Sequence, residues 1–165
     1  MQFSLDLKVA ALTVSKEIPA CFSFNLDEQE RMALALRFGF LAIDRLRGTI
    51  EIRQIARSCW QLEAQIIGRV IQSCVITAEA VPEDVDFSIC ERYVEALDDA
   101  GEVDPTGVDT EILDQGMILV GEAVAQALAV HVCAWPRHSD APELNPPEDI
   151  SHTNNPFAKL SELKK

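Results

Sequence analysis

The apolar positions divide the chain into stretches of period two and stretches of helical period. Leu46, Gly48, Ile50 and Ile52 alternate with Arg45, Arg47, Thr49, Glu51 and Arg53, the pattern of a strand with one buried and one wet face. Over 59–67, Trp60, Leu62, Ala64 and Ile66 alternate with Gln61, Glu63 and Gln65. The short connection predicts that these two strands pair antiparallel. The stretch 66–87, IIGRVIQSCVITAEAVPEDVDF, is dense in β-branched residues and predicts two central strands, with a kink at Gly68 and a turn at Pro82. Beyond that turn Val85, Phe87 and Ile89 keep the alternation, extended by Tyr93 and Val94. Phe3, Leu5 and Leu7, and then Phe22, Phe24 and Leu26, mark two shorter strands.

Helical spacing occurs twice. Asp27 with Glu30 three residues on forms a capping-box pattern, and Gly39 is a fitting stop. Met32, Leu34, Ala35, Leu36 and Phe38 are the expected buried side of that first helix. The second, GEAVAQALAVHVCAW, continues from Val120 with Val124, Ala127, Leu128 and His131 at three-and-four spacing, with Pro136 as its expected end. Between the strands and this helix, 97–116 reads as a long acidic loop, followed by a short apolar edge strand over 117–120. Five of the eight prolines fall between Pro136 and Pro156, so 136–165 is expected to be an extended or disordered Pro-rich tail. At its end NPFAKLSELKK places Phe157, Leu160 and Leu163 on one side of a short amphipathic turn. The expected fold is α+β: a mainly antiparallel sheet, open or curled into a partial barrel, with two helices in one domain over 1–135, and the C-terminal tail.

Charge changes this picture because it is unevenly spread. The net charge is −13; residues 1–78 hold nine Lys/Arg against eight Asp/Glu, whereas 79–122 hold Arg92 alone against fourteen acids. A phosphate backbone would be repelled by the second segment and tolerated by the first, while a basic protein would favour the second. Asp98, Asp99, Glu102 and Asp104 are its candidate partner-binding residues. An acidic solvated loop that keeps the protein soluble is the plainer reading of the same residues. Five cysteines without a close pair fit reduced thiols, and neither a signal peptide nor an apolar run of membrane-spanning length is present. The expected location is the cytoplasm.

Candidate chemistry is sparse. The three histidines, 131, 138 and 152, lie in the last helix and the tail. His131, Cys133 and His138 lack the spacing of a structural zinc site, and Cys74 reads as a small apolar filler in a buried strand. No phosphate-binding glycine motif occurs, and the acids crowd a segment where nothing apolar would raise a pKa. No catalytic residue, metal or cofactor is therefore expected. The outward row Arg45, Arg47 and Arg53 is the one constellation suited to RNA, although it lacks aromatic platforms for stacking bases. A solvated sheet face is the plainer reading there too.

Several segments resemble the YceD family, the large ribosomal RNA subunit accumulation proteins, in its alphaproteobacterial type. RVIQSCVITAEAVPEDVDF is similar to the family's cysteine-bearing strand: Cys74 matches the first cysteine, Thr77 stands at the second, and Val81 keeps the valine while Ala80 replaces the preceding proline. DQGMILVGEAVAQALAVHVCAWPRHSDAP resembles the second signature, with Gly121 and Glu122 as its Gly-Glu and Pro136-Arg137 as its exit, Ala134 departing from the first proline there. RFGFLAIDRL and NPFAKLSELK are similar to the stretch after the first helix and to the terminal box. The resemblance implies a bacterial, non-enzymatic factor needed for the synthesis, processing or stability of 23S ribosomal RNA. Its implied partners are a large-subunit ribosomal RNA precursor, a basic ribosomal or maturation protein, or both, with no DNA and no membrane. Cysteine pairs found in some relatives are not retained, so no metal site carries over. The competing expectations are a small-ligand binder or enzyme using a concave sheet face, and a structural adaptor without RNA contact. No pattern indicates an oligomeric state.

Overall fold

Two of the longest strands arise where the alternation is cleanest. In the computed structural model, which describes residues 4–96 and 108–143, β3 (Ala42–Ala56) and β4 (Cys59–Ser73) are antiparallel and joined by the turn at Arg57 and Ser58. Leu46, Ile50 and Ile52 of β3 and Trp60, Leu62, Ile66 and Val70 of β4 are buried, as their even-numbered positions require. β5 (Ala80–Val94) pairs antiparallel along the whole of β4, and β2 (Ala20–Asn25) pairs with β3. With β6 (Asp109–Ile112) the sheet order is β2-β3-β4-β5-β6. The sheet does not close into a barrel, since β2 and β6 stay at opposite edges. β1 (Val9–Ala10) and β7 (Met117–Ile118) form a separate two-stranded ladder.

The helices complete the core. α1 (Glu28–Phe38) begins at the predicted capping box: Asp27 accepts the Glu30 N–H at 2.9 Å, and Glu30 accepts the Asp27 N–H at 3.1 Å. It ends at Gly39, which adopts a left-handed φ of 73°. Leu34 and Ala35 of α1 join Val120, Val124, Ala127 and Leu128 of α2 (Val120–His131) in one buried cluster with the sheet's inward side chains. Trp60, within that cluster, donates its indole N–H to the Val14 carbonyl at 3.2 Å. No helix among the described residues is long and apolar enough to cross a membrane.

Several expectations are corrected. Leu5 and Asp6 form a turn rather than a strand, and Phe3 lies outside the described residues. The segment is bound to α2 instead of a sheet edge, because Leu7 accepts the Gly121 N–H at 3.2 Å. β4 runs unbroken through Gly68. A Cβ there would lie 2.7 Å from Leu46 Cδ1 and 2.9 Å from the Arg45 carbonyl oxygen, so this glycine permits close strand packing, not a bend. The turn predicted at Pro82 lies upstream, over Val75 to Thr77, and Pro82 sits inside β5. Ile71, opposite Pro82, turns its carbonyl away to the Leu41 N–H at 2.8 Å. Pro82 thus occupies a pair without hydrogen bonds to β4, and its missing N–H faces an edge that β6 covers only from Glu91 onward.

Met32 and Leu36, expected inside, are 65% and 85% exposed. Residues 109–112 of the expected loop form β6, which runs parallel to β5. All four of its side chains are exposed, so backbone pairing and not apolar alternation makes this strand. α2 stops at His131, well before Pro136, because Glu83 captures the Cys133 N–H with both carboxylate oxygens at 3.0 and 3.1 Å. From Pro136 to Glu143 the chain carries no helix or strand. The acidic residues 97–107 and the tail beyond 143 lie outside the described residues.

Candidate functional site

The turn after β4 gathers residues that are distant in sequence. Cys74 is 3% exposed, and its Sγ accepts backbone N–H groups from His138 at 3.3 Å, Thr77 at 3.4 Å and Ile76 at 3.5 Å. The Val75 N–H donates to the Pro136 carbonyl at 2.9 Å, and Pro136 itself is buried. The expected apolar filler is therefore a polar anchor. The His138 N–H, followed by the Thr77 hydroxyl and N–H, holds the Cys74 thiol down to about 6 against the opposing effect of burial. The turn closes through the Ala78 N–H to the Cys74 carbonyl at 3.0 Å, which requires Ala78 at a left-handed φ of 60°. That conformation costs an alanine roughly 1–2 kcal/mol, so the surrounding contacts hold it in place. Thr77 Oγ1 lies 3.0 Å from a Glu79 carboxylate oxygen, and His138 Nδ1 lies 3.8 Å from the same carboxylate. Arg137 points outward and donates to the Pro142 carbonyl at 3.2 Å.

Gln72, the one buried polar side chain among the described residues, stitches this junction to β5. Its amide donates to the Cys133 carbonyl and to Glu83, both at 3.0 Å. Val81 stands opposite Gln72 at the start of β5. Cys74, Thr77, Val81, Pro136 and Arg137 thus belong to one corner of the molecule. His131 stacks on Phe87 with ring centroids 4.2 Å apart, a packing role. All five cysteines are free thiols, and no group of His, Cys, Asp or Glu among the described residues is arranged to hold a metal ion.

Gly121 and Glu122 lie at the start of α2. A Cβ on Gly121 would collide with the Leu5 carbonyl group, so the close approach of the N-terminal segment demands glycine. Glu122 receives both terminal nitrogens of Arg37, at 2.6 and 2.8 Å. The Arg37 guanidinium holds the Glu122 carboxyl down to about 2, with Gln126 adding a second hydrogen bond against the cost of burial. Arg37 belongs to the RFGF stretch, so this bond joins two separate sequence motifs through α1 and α2. Nothing local in the sequence signals it; the partners are 85 residues apart.

The outward sheet face is less basic than β3 alone suggests. Arg45 bonds Asp84 at 2.8 Å, and Arg69, directly opposite Arg45, reaches Asp84 at 3.4 Å and Asp44 at 3.7 Å. Arg53 pairs with Glu51. Arg47 is exposed and makes no ion pair among the described residues. The acids of β5 are supplied across β4, which a one-strand pattern does not reveal. Asp98, Asp99, Glu102 and Asp104 lie outside the described residues.

The same face holds an open groove of about 740 Å³ over β2 to β5, with Cys21, Glu51, Glu63 and Cys90 forming one cross-strand row along it. Its lining mixes Phe22, Ile50, Ala64 and Ile89 with polar residues, and it lies open on the sheet face, whereas small-molecule sites are concave and bury most of their ligand. Burial and the neighbouring Glu63 push the Cys90 thiol up, away from a nucleophilic thiolate. The shifted carboxyls lie elsewhere: Glu122 at α2, and Glu91, raised by burial, beside Tyr93. Comparison of the chain with protein-family models, curated proteins and solved structures gives no match.

Proposed function

We propose that this protein is a non-enzymatic, cytoplasmic accessory factor in the synthesis, processing or stability of 23S ribosomal RNA. The reading rests on the resemblance to the YceD family. One observation supports it: the cysteine-bearing segment and the proline-arginine exit, 64 residues apart, meet at the Cys74–His138 hydrogen bond. The Arg37–Glu122 bond likewise ties the stretch after the first helix to the Gly-Glu pair. Segments chosen for their likeness to a family thus form contacts with one another, as parts of a functional unit do. Partner contact falls to Arg45 and Arg47 for RNA and to the acidic segment with Asp98, Asp99, Glu102 and Asp104 for a basic ribosomal or maturation protein. Such a complex weakens steeply with salt. Deleting the gene should lower the ratio of 23S to 16S ribosomal RNA, with restoration by the full chain. An unchanged ratio defeats the proposal.

A second reading takes the groove above β2 to β5 as a ligand site. Its volume of about 740 Å³ and its part-apolar lining favour that reading, while its openness and the location of Glu91 and Glu122 outside it do not. A ligand screen read by thermal shift separates the two: stabilisation lost in Ser23→Trp or Gln65→Trp would support the ligand binder.

A further inference from the structure

The exposure of Met32 and Leu36 leaves an apolar face without a partner among the described residues. Together with Leu41, 55% exposed, and Phe40 they line a groove of about 470 Å³ between α1 and the start of β3, with Glu28 and Asp44 at its rim. The nearby Arg31 guanidinium is occupied by the Leu26 and Ile43 carbonyls at 2.7 and 3.0 Å and Asp44 lies 3.7 Å from Arg69, which leaves Glu28 as the rim acid without an ion pair among the described residues. Met32 and Leu36 are four apart and form one ridge of the helix.

We propose that this groove docks the chain's own C-terminal segment, through Phe157, Leu160 and Leu163. Three observations carry the proposal. The first is position. Leu41 bonds Ile71 near the end of β4, and the turn that follows β4 holds Pro136 and His138. The chain therefore leaves the described residues from the same end of the sheet as the groove. The second is reach. Thirteen residues lie between Glu143 and Phe157, and the fourteen steps of an extended chain span about 46 Å, longer than a fifteen-residue helix of about 22 Å. The third is complementarity. Phe157, Leu160 and Leu163 recur every three residues, and Lys159, Lys164 and Lys165 give the segment an excess of positive charge in a chain of net charge −13. Apolar side chains match the groove, and a lysine can pair with Glu28 at its rim. Tethering supplies an effective concentration on the order of millimolar, so modest contacts suffice.

The test uses the full chain with a benzophenone amino acid in place of Leu36, irradiated and mapped by mass spectrometry. The expected product is an intramolecular adduct to residues 157–163, with a yield independent of protein concentration. Leu160→Asp combined with Leu163→Asp should lower that yield about tenfold or more, since burial of one leucine is worth at least one decade of equilibrium constant. Circular dichroism verifies that the double variant keeps the fold. An adduct joining two copies, an adduct to another segment, no adduct, or a yield unaffected by the double substitution overturns the proposal.

Discussion

Gly121→Ala separates two physical effects by sign. In a helix free of neighbours, replacing glycine by alanine stabilises by about 0.5–1 kcal/mol, because alanine loses less backbone freedom on folding. At position 121 the new Cβ would overlap the Leu5 carbonyl group, a backbone atom that no rotamer change can move aside. Forcing such a contact costs about 1–3 kcal/mol. Displacing the N-terminal segment also loses the Gly121 N–H bond to Leu7, worth about 1 kcal/mol. After the gain in helix propensity is subtracted, the net effect is a loss of about 2 kcal/mol. With a urea m-value of about 2 kcal/mol/M, the unfolding midpoint should fall by about 1 M, followed by the fluorescence of Trp60 and Trp135. Gly39→Ala is the control: its Cβ meets open space, and only its φ of 73° penalises alanine, so a loss of about 1 kcal/mol is expected. A midpoint that rises in Gly121→Ala would refute the docking of the N-terminal segment on α2.

Other outcomes follow from the charges. Glu122 titrates lower in the folded state than in the unfolded chain, so its contribution is present above about pH 4.5 and is lost as pH falls toward about 2. The pair is partly exposed, at 34% and 47%, so screening leaves roughly 1 kcal/mol, and acid unfolding of Glu122→Gln should lack that part of the slope. Cys74 should titrate near 6 in thiolate absorbance, read as the difference between the natural chain and Cys74→Ser. Its stabilising effect is present above the ordinary thiol range and fades as pH falls through about 6; His138→Pro, which removes the first N–H donor, should raise the midpoint, and an unmoved midpoint counts against the cradle. Charge reversal of Arg45 and Arg47 should reduce co-purifying RNA, and unchanged recovery would remove this face from the RNA-binding account.

Strands β3 and β4 and the capped start of α1 were legible in the sequence because each is specified by neighbours: alternation over a buried face in one case, Asp27 and Glu30 in the other. The sheet's antiparallel order follows from short connections. What escaped reading depends on partners far along the chain. Pro82 looks like a turn until the uncovered edge of β5 is known, and β6 has no apolar alternation because its side chains stay in solvent. Met32 and Leu36 fit a buried stripe by spacing alone, yet α1 sets Leu34, Ala35 and the partly buried Phe38 against the core and leaves those two outside. The Cys74 thiol reads as filler because its strongest donor is the backbone of His138, and no side-chain pattern can announce a backbone N–H.

The central claim is an association with large-subunit ribosomal RNA or its protein partners. Affinity purification of the full chain from growing cells without crosslinking, washed at low or at high salt and followed by identification of both RNA and protein, tests it most directly. The account predicts 23S precursor RNA, basic large-subunit or maturation proteins, or both, with protein partners held through the acidic segment lost at high salt. Recovery of neither class contradicts it.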